Sequence, residues 1–191
     1  MGTTVRRASG AAMLAHSPGI RAVYAEAFAG PPWHEGDAEA RHYQDRLAAD
    51  TARPGFTGAL ALGADRDVLG FATAFTSATP LPVDRSYACV TAALGAERAG
   101  AWLCGGLEVD ELAVRPRAHR GGLGAALLDA VTREADDGRC WLLTSARAGA
   151  TLRFYRRLGW HQATHPAPGG GSLAVFLGPR HPARDSTASP L

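Results

Sequence analysis

Leu107-Glu-Val-Asp-Glu-Leu-Ala-Val114-Arg-Pro-Arg-Ala-His-Arg120-Gly-Gly-Leu-Gly-Ala-Ala-Leu-Leu128 changes character twice along its length. It opens as a strand, crosses a short basic loop, and ends as the start of a glycine-rich helix. Gly121, Gly122 and Gly124 carry no Cβ, so the backbone there can approach a ligand closely. The unpaired N–H groups of a helix's first turn attract an anion such as pyrophosphate. Arg115, Arg117, His119 and Arg120 add positive charge at the same place. In the helix that follows, Leu123, Leu127 and Val131 recur four residues apart and face a core, while Asp129, Arg133 and Glu134 face outward. Two other phosphate loops fail against this spacing. The chain has no G-x-x-x-x-G-K-[ST] and no lysine at all, which excludes a P-loop, and G-x-G-x-x-G breaks at Leu127. Glycines that serve only a tight strand-to-helix turn are the alternative reading.

Upstream, Thr3 to Ala8 reads as a strand. Ser17-Pro18 reads as an N-cap and first helical residue, opening a helix that ends at Gly30-Pro31-Pro32. A second helix fits Asp37 to Asp50. Phe56 to Leu62 and Val68 to Phe75 read as strands joined by a turn at Gly63 to Asp67. Residues 77–106 stay open, with a helix at Tyr87 to Leu94 as one option. Downstream, the pattern predicts a strand over Leu107 to Val114, a helix over Gly122 to Asp137, a strand over Cys140 to Ser145 and a helix over Thr151 to Leu158. A last hairpin, Trp160 to Thr164 with Leu173 to Leu177, would turn around Pro166 to Gly171. Hairpins at both ends with strand-helix-strand crossovers between them imply an α/β (or α+β) domain with a mixed sheet covered by helices. The polar, Pro- and Ser-containing residues 179–191 are expected to be a disordered tail.

A length of 191 residues suits one domain, and 46% apolar residues are enough for a core. They fall in short runs, well below the roughly 20 residues of a membrane span, and the N-terminus has no apolar secretory region. No membrane association and a cytoplasmic location are therefore expected. Cys89, Cys104 and Cys140 match neither a disulfide framework nor a CxxC site and are expected to be buried thiols. A net charge of +2 is too small to argue for nucleic acid. His34, His42, His161 and His165 show no metal-ligand spacing, so no metal is expected, and no serine sits in a G-x-S-x-G elbow.

Val114-Arg-Pro followed by His119-Arg-Gly-Gly-Leu-Gly124 resembles the acyl-CoA loop, [Q/R]-x-x-G-x-[G/A], of the GNAT superfamily of acyl-CoA-dependent N-acyltransferases, with His119 in place of Gln or Arg. Thr151 to Trp160 resembles that family's next motif. The resemblance covers about residues 56–162 well and the N-terminal third loosely. It implies one GNAT domain over residues 1–178, with a largely antiparallel sheet. It also implies acetyl-CoA as co-substrate, with the backbone at Leu112, Ala113 and Val114 pairing with the pantetheine arm. His119, Arg120, Gly121, Gly122, Leu123, Gly124 and Ala125 would hold the pyrophosphate.

By position in the motif, Glu108 is the expected general base, with Asp110 the fallback and Glu111 not eliminated. Period-2 alternation puts Glu108 and Asp110 on one face and Glu111 on the other. Tyr155, within Leu152-Arg-Phe-Tyr-Arg-Arg-Leu-Gly-Trp160, is the expected general acid for the leaving sulfur. Ala148 stands where the family often has an asparagine, so one cofactor contact is missing or replaced. Trp33 and His34 either line the acceptor site or pack a loop. The acceptor would be an amine of a small molecule or a protein, and family members often form homodimers. The rival expectation is a non-catalytic acyl-CoA binding or sensing module on the same loop.

Overall fold

The computed structural model describes residues 3–135, 137–164 and 173–186, with the side chains of Arg85 and Arg120 excepted. The chain forms two compact units, residues 1–75 with 109–134 and residues 76–108 with 135–191.

In the first unit, the strand Thr4–Ala8 (β1) leads into a short helix, Gly10–Ala15 (α1), which the sequence reading lacks. Ser9 caps it, its hydroxyl accepting from the Ala12 N–H. Ser17 is therefore not a cap: His16 sits at the cap position and Ser17 is already the first residue of the helix Ser17–Phe28 (α2). The reason is local. The chain comes straight out of α1, so no extended residue precedes Pro18, and an N-cap needs extended backbone. The helix Asp37–Asp50 (α3) has the predicted bounds, and Glu39 reaches back to the Gly36 N–H at 2.8 Å.

The strands Thr57–Leu62 (β2) and Val68–Thr76 (β3) pair antiparallel, and β1 pairs antiparallel with β2. Ile20, Val23, Tyr43, Leu47, Leu60 and Phe71 fill the core between these helices and strands. Gly70 permits the tightest approach: a Cβ there would meet the Ala113 carbonyl oxygen at 2.9 Å. The helix Leu123–Thr132 (α6) buries Leu123, Leu127, Leu128 and Val131 and stops short of the predicted Asp137.

The second unit holds the helices Arg85–Leu94 (α4) and Ala96–Trp102 (α5) in the segment left open by the sequence. Asp84 caps α4, its Oδ1 accepting from the Ser86 and Tyr87 N–H groups at 2.9 and 3.1 Å. The strand Leu107–Val114 (β4) begins in this unit and continues in the first. The strand Cys140–Ser145 (β5), the helix Gly149–Arg157 (α7) and the strands His161–Gln162 (β6) and Leu173–Leu177 (β7) complete it. β7 pairs antiparallel with both β5 and β6. Leu81, Val90, Leu103, Trp141, Val175 and Leu177 form its core. The sheet is mixed and largely antiparallel, flanked by helices, with strand order β1-β2-β3-β4-β5-β7-β6.

Pro166 to Gly171, the expected turn of the last hairpin, lies outside the described residues, as do His165 and the tail beyond Ser186. Within the expected tail, residues 179–186 form a turn and a short 3-10 helix, and His181 is buried. Its Nε2–H donates to the Trp102 carbonyl (2.9 Å) and its Nδ1 accepts from the Ala183 N–H (3.0 Å), a pairing that requires the neutral ring. Burial likewise lowers its pKa. Only Cys140 of the three thiols is buried; Cys104 is half-buried and Cys89, on α4, is exposed. Burial pushes the Cys140 thiol up to about 11. Among the described residues no helix is long and apolar enough to cross a membrane, and no group of side chains could hold a metal.

Candidate functional site

The basic loop is a 3-10 turn over Pro116–Gly121 that ends in Gly122, whose φ of +70° places it in the left-handed region. That conformation disfavours a side chain, and a Cβ at Gly122 would meet nothing within 4 Å. Gly122 is also the N-cap of α6, where no side chain caps the helix and no acid lies in the first turn. Among the described residues, open space at Gly122 and a helix start without a side-chain cap have the form an anion cradle takes.

Three of the charges expected to assist it are committed elsewhere. The Arg115 guanidinium donates to the Val68 carbonyl at 2.8 Å and pairs with Glu26 of α2. Arg117 pairs with Asp67 at 3.1 Å on the surface. His119 Nε2 bonds the Val114 carbonyl at 2.9 Å, tying the loop back to the end of β4. What this loop offers an anion is therefore backbone more than these side chains, and His119 ties the turn to the end of β4. Of the positions expected to pair with pantetheine, Ala113 and Val114 are buried at the end of β4 and Leu112 is partly exposed.

The three acids of β4 have different surroundings, and burial along the strand does not alternate with period two. Glu108 is 5% exposed, and the Tyr87 hydroxyl on α4 lies 2.8 and 2.9 Å from its two carboxylate oxygens. Asp110 is gripped by Arg46 of α3, whose two terminal nitrogens reach Oδ1 and Oδ2 at 3.2 and 3.0 Å, and Thr73 donates to it at 3.4 Å. Both Asp110 oxygens are thus engaged by Arg46.

Arg46 also pairs with Asp50 at 3.1 Å and stacks over the Tyr43 ring. Burial opposes its charge, but Asp110 and Asp50 outweigh it and hold the guanidinium protonated. Glu111 is different again: burial, then the charge of Asp110, pushes its carboxyl up to about 8, with Arg46 acting against the shift. Nearby, the Tyr24 hydroxyl donates to Glu35 at 2.5 Å, and its ring stacks on Tyr43 at 4.9 Å. Burial, then Glu111, raises the Tyr24 pKa. Trp33 packs edge-on to Phe28 at 5.3 Å, so its ring belongs to the packing beneath this segment; His34 beside it is exposed with φ +51°.

In the second unit Tyr155 on α7 is 6% exposed, between Trp160 at 6.0 Å and Phe176 at 5.6 Å. Ala148, in place of the family's asparagine, is the N-cap residue of α7 and gives it no side-chain cap. The sequence reading missed Tyr87 and Arg46. Of the two arginines of α3, Arg46 could have been found as the one three residues after Tyr43 and next to Leu47, at the polar edge of that stripe. Nothing in residues 77–106 marks Tyr87.

Residues 84–162 match the family model described as the acetyltransferase (GNAT) domain. No curated protein matches the chain in sequence. The fold is that of solved GNAT acetyltransferases. A GNAT-family protein from Desulfovibrio desulfuricans superposes with TM-score 0.59 at 20% identity, over 92% of this chain and 96% of its own. The PaiA N-acetyltransferase of Thermoplasma acidophilum, solved with coenzyme A, gives 0.57 at 15% identity, over 93% and 99%. The Salmonella typhimurium protein yncA, solved with acetyl-CoA, gives 0.52 at 16% identity, over 93% and 92%.

Proposed function

Starting from a chain with the GNAT acetyltransferase fold and that family's domain over residues 84–162, we propose that it transfers an acetyl group from acetyl-CoA to a primary amine. The acceptor is a small-molecule or protein amine met in the cytoplasm. The observation that carries the reading is the start of α6. Gly122 at φ +70°, with room where a Cβ would stand and no capping side chain, leaves the first-turn N–H groups available to the pyrophosphate. Leu112, Ala113 and Val114 supply strand backbone to the pantetheine arm. His119, Arg120, Gly121, Gly122, Leu123, Gly124 and Ala125 form the cradle.

The amine attacks the thioester carbonyl carbon, the C–S bond breaks, and the sulfur leaves as a thiol. Glu108 takes the proton the amine must lose, and the Tyr155 hydroxyl gives one to the sulfur. Glu108 is buried, with the Tyr87 hydroxyl within hydrogen-bond reach of both carboxylate oxygens. A second reading of the base has its own observation: Glu111, its carboxyl pushed up to about 8, is matched to proton transfer near neutral pH.

The test measures thiol release from acetyl-CoA against a panel of butylamine, butane-1,4-diamine, glycinamide and kanamycin, with calorimetric titration of acetyl-CoA alongside. Glu108→Gln and Tyr155→Phe should each lower kcat by about 100-fold while leaving acetyl-CoA affinity within about threefold. If Glu111→Gln produces that loss instead, the base is Glu111. Acetyl-CoA binding without thiol release in any variant or the wild type leaves a binding module, and no preference for acetyl-CoA over ATP defeats the reading altogether.

A further inference from the structure

Glu108 and Tyr87 lie in the same unit, on β4 and α4, and their contact has a geometry that packing alone does not require. The phenol oxygen is nearly equidistant, at 2.8 and 2.9 Å, from the two carboxylate oxygens. One hydroxyl has one proton to donate and two lone pairs with which to accept. Facing an ionised Glu108 it donates; facing a protonated one it can accept from the carboxyl O–H. The pair therefore stays hydrogen-bonded whichever state the carboxyl is in, and Tyr87 gains and loses no proton over the cycle.

Both partners are anchored to the same fixed group. The Tyr87 ring meets Trp141 of β5 edge-on, with centroids 6.2 Å apart and ring planes at 65°. Trp141 is fully buried, and its Nε1–H donates to Ser77 Oγ at 2.7 Å. Ser77 in turn binds the carbonyl of Gly106, two residues before Glu108, through its backbone N–H at 2.9 Å and its hydroxyl at 3.1 Å. Ser77 also accepts from the Gly105 N–H at 3.1 Å. The start of β4 and the phenol that reaches its acid are thus both registered on the Trp141 indole. The Asp84 cap, accepting from the Tyr87 N–H itself, fixes the end of α4 from which the phenol projects.

Resting on the reading of Glu108 as the base, we propose that Tyr87 is a positioning residue of the transfer reaction, holding the Glu108 carboxyl in one orientation while its proton comes and goes. Its effect is on the chemical step and passes entirely through Glu108. Substrate binding does not depend on it.

The experiment is a double-mutant cycle on the full chain with Tyr87→Phe, Glu108→Gln and the two combined. It is assayed by thiol release with acetyl-CoA and the fastest amine of the panel, together with melting temperature and the Kd for acetyl-CoA. Phe keeps the ring against Trp141, so folding is preserved. Tyr87→Phe is expected to lower kcat by about tenfold with both KM values within about twofold, and to cause no further loss once Glu108 is Gln. Wild-type kcat in Tyr87→Phe, or a loss that multiplies with that of Glu108→Gln, overturns the proposal. If Glu108→Gln alone keeps wild-type kcat, the base assignment falls and the proposal with it; if Glu108→Gln is dead and Tyr87→Phe is not impaired, the base assignment stands and the proposal alone fails.

Discussion

Replacing Gly122 by alanine separates two effects that usually travel together. At φ +70° an alanine costs about 1–2 kcal/mol of backbone strain. Since nothing lies within 4 Å of the new Cβ, no clash adds to it. For a chain of this length that is a fall in Tm of about 2–8 °C. In the cradle, the methyl stands over the first turn of α6, where it should displace a charge-assisted hydrogen bond worth about 1.5–3 kcal/mol, or roughly 10- to 100-fold in Kd for acetyl-CoA. Gly105→Ala is the control. It has φ +69° and only ordinary contacts at 3.7 Å, but it lies in the turn before β4. Calorimetric titration and thermal melts of both variants decide the matter. Both should lose similar stability, and only Gly122→Ala should lose affinity. A Gly122→Ala Kd within about threefold of wild type, or an equal loss in Gly105→Ala, would refute the anion cradle.

Glu111 should make stability fall as pH rises. Its folded pKa, raised from 4.5 to about 8, means the native state holds a proton that the unfolded state has released, so the loss accrues between about pH 4.5 and 8. Urea unfolding should show Glu111→Gln equal to wild type at pH 4 and up to about 5 kcal/mol more stable above pH 8, the linkage value of the full shift; parallel curves would contradict the shift. Iodoacetamide should label Cys89 rapidly in the native protein and Cys140 only on unfolding, read by mass spectrometry of the peptides, since Cys89 is exposed and Cys140 buried with its thiol pushed to about 11. Trp141→Phe should destabilise by about 2–4 kcal/mol in urea, combining a cavity in a fully buried site with the loss of the Ser77 hydrogen bond; a loss below about 1 kcal/mol would mean the indole is not the anchor described.

The elements that read correctly from sequence are those whose apolar pattern meets one face of a core. Ala40, Tyr43 and Leu47 bury one stripe of α3, and β2, buried throughout, is apolar from Gly58 to Leu62. The helix α1 was illegible because its six residues bury only Met13, which is too little for a period to show. α4 and α5 follow a stretch broken by Pro80 and Pro82, and Val90 and Leu94 are the buried apolar positions of α4. The glycine turn announced itself because positive φ is written in residue type. Arg115 and Arg117 beside it pair with Glu26 and Asp67, and charge in sequence says nothing of which carboxylate lies across the fold. The same limit applies to β4. Alternation sorts its acids by face, but their chemistry depends on Tyr87, Arg46 and burial, which come from 21 and 64 residues away in the chain for the two hydrogen-bonded pairs.

The contact of His181 with Trp102 also sets an order of events when the chain is handled from its end. Among the described residues, a pull or a protease working inward from Ser186 first meets a buried side chain at that imidazole, and there it must uncover the Trp102 carbonyl at the end of α5. A chain cut at Pro179 loses this latch. Acid acts on the same point, because a proton on His181 Nδ1 would face the Ala183 N–H that now points at it. The turn around His181 is thus a clasp within the second unit, held by two hydrogen bonds that together need the neutral imidazole.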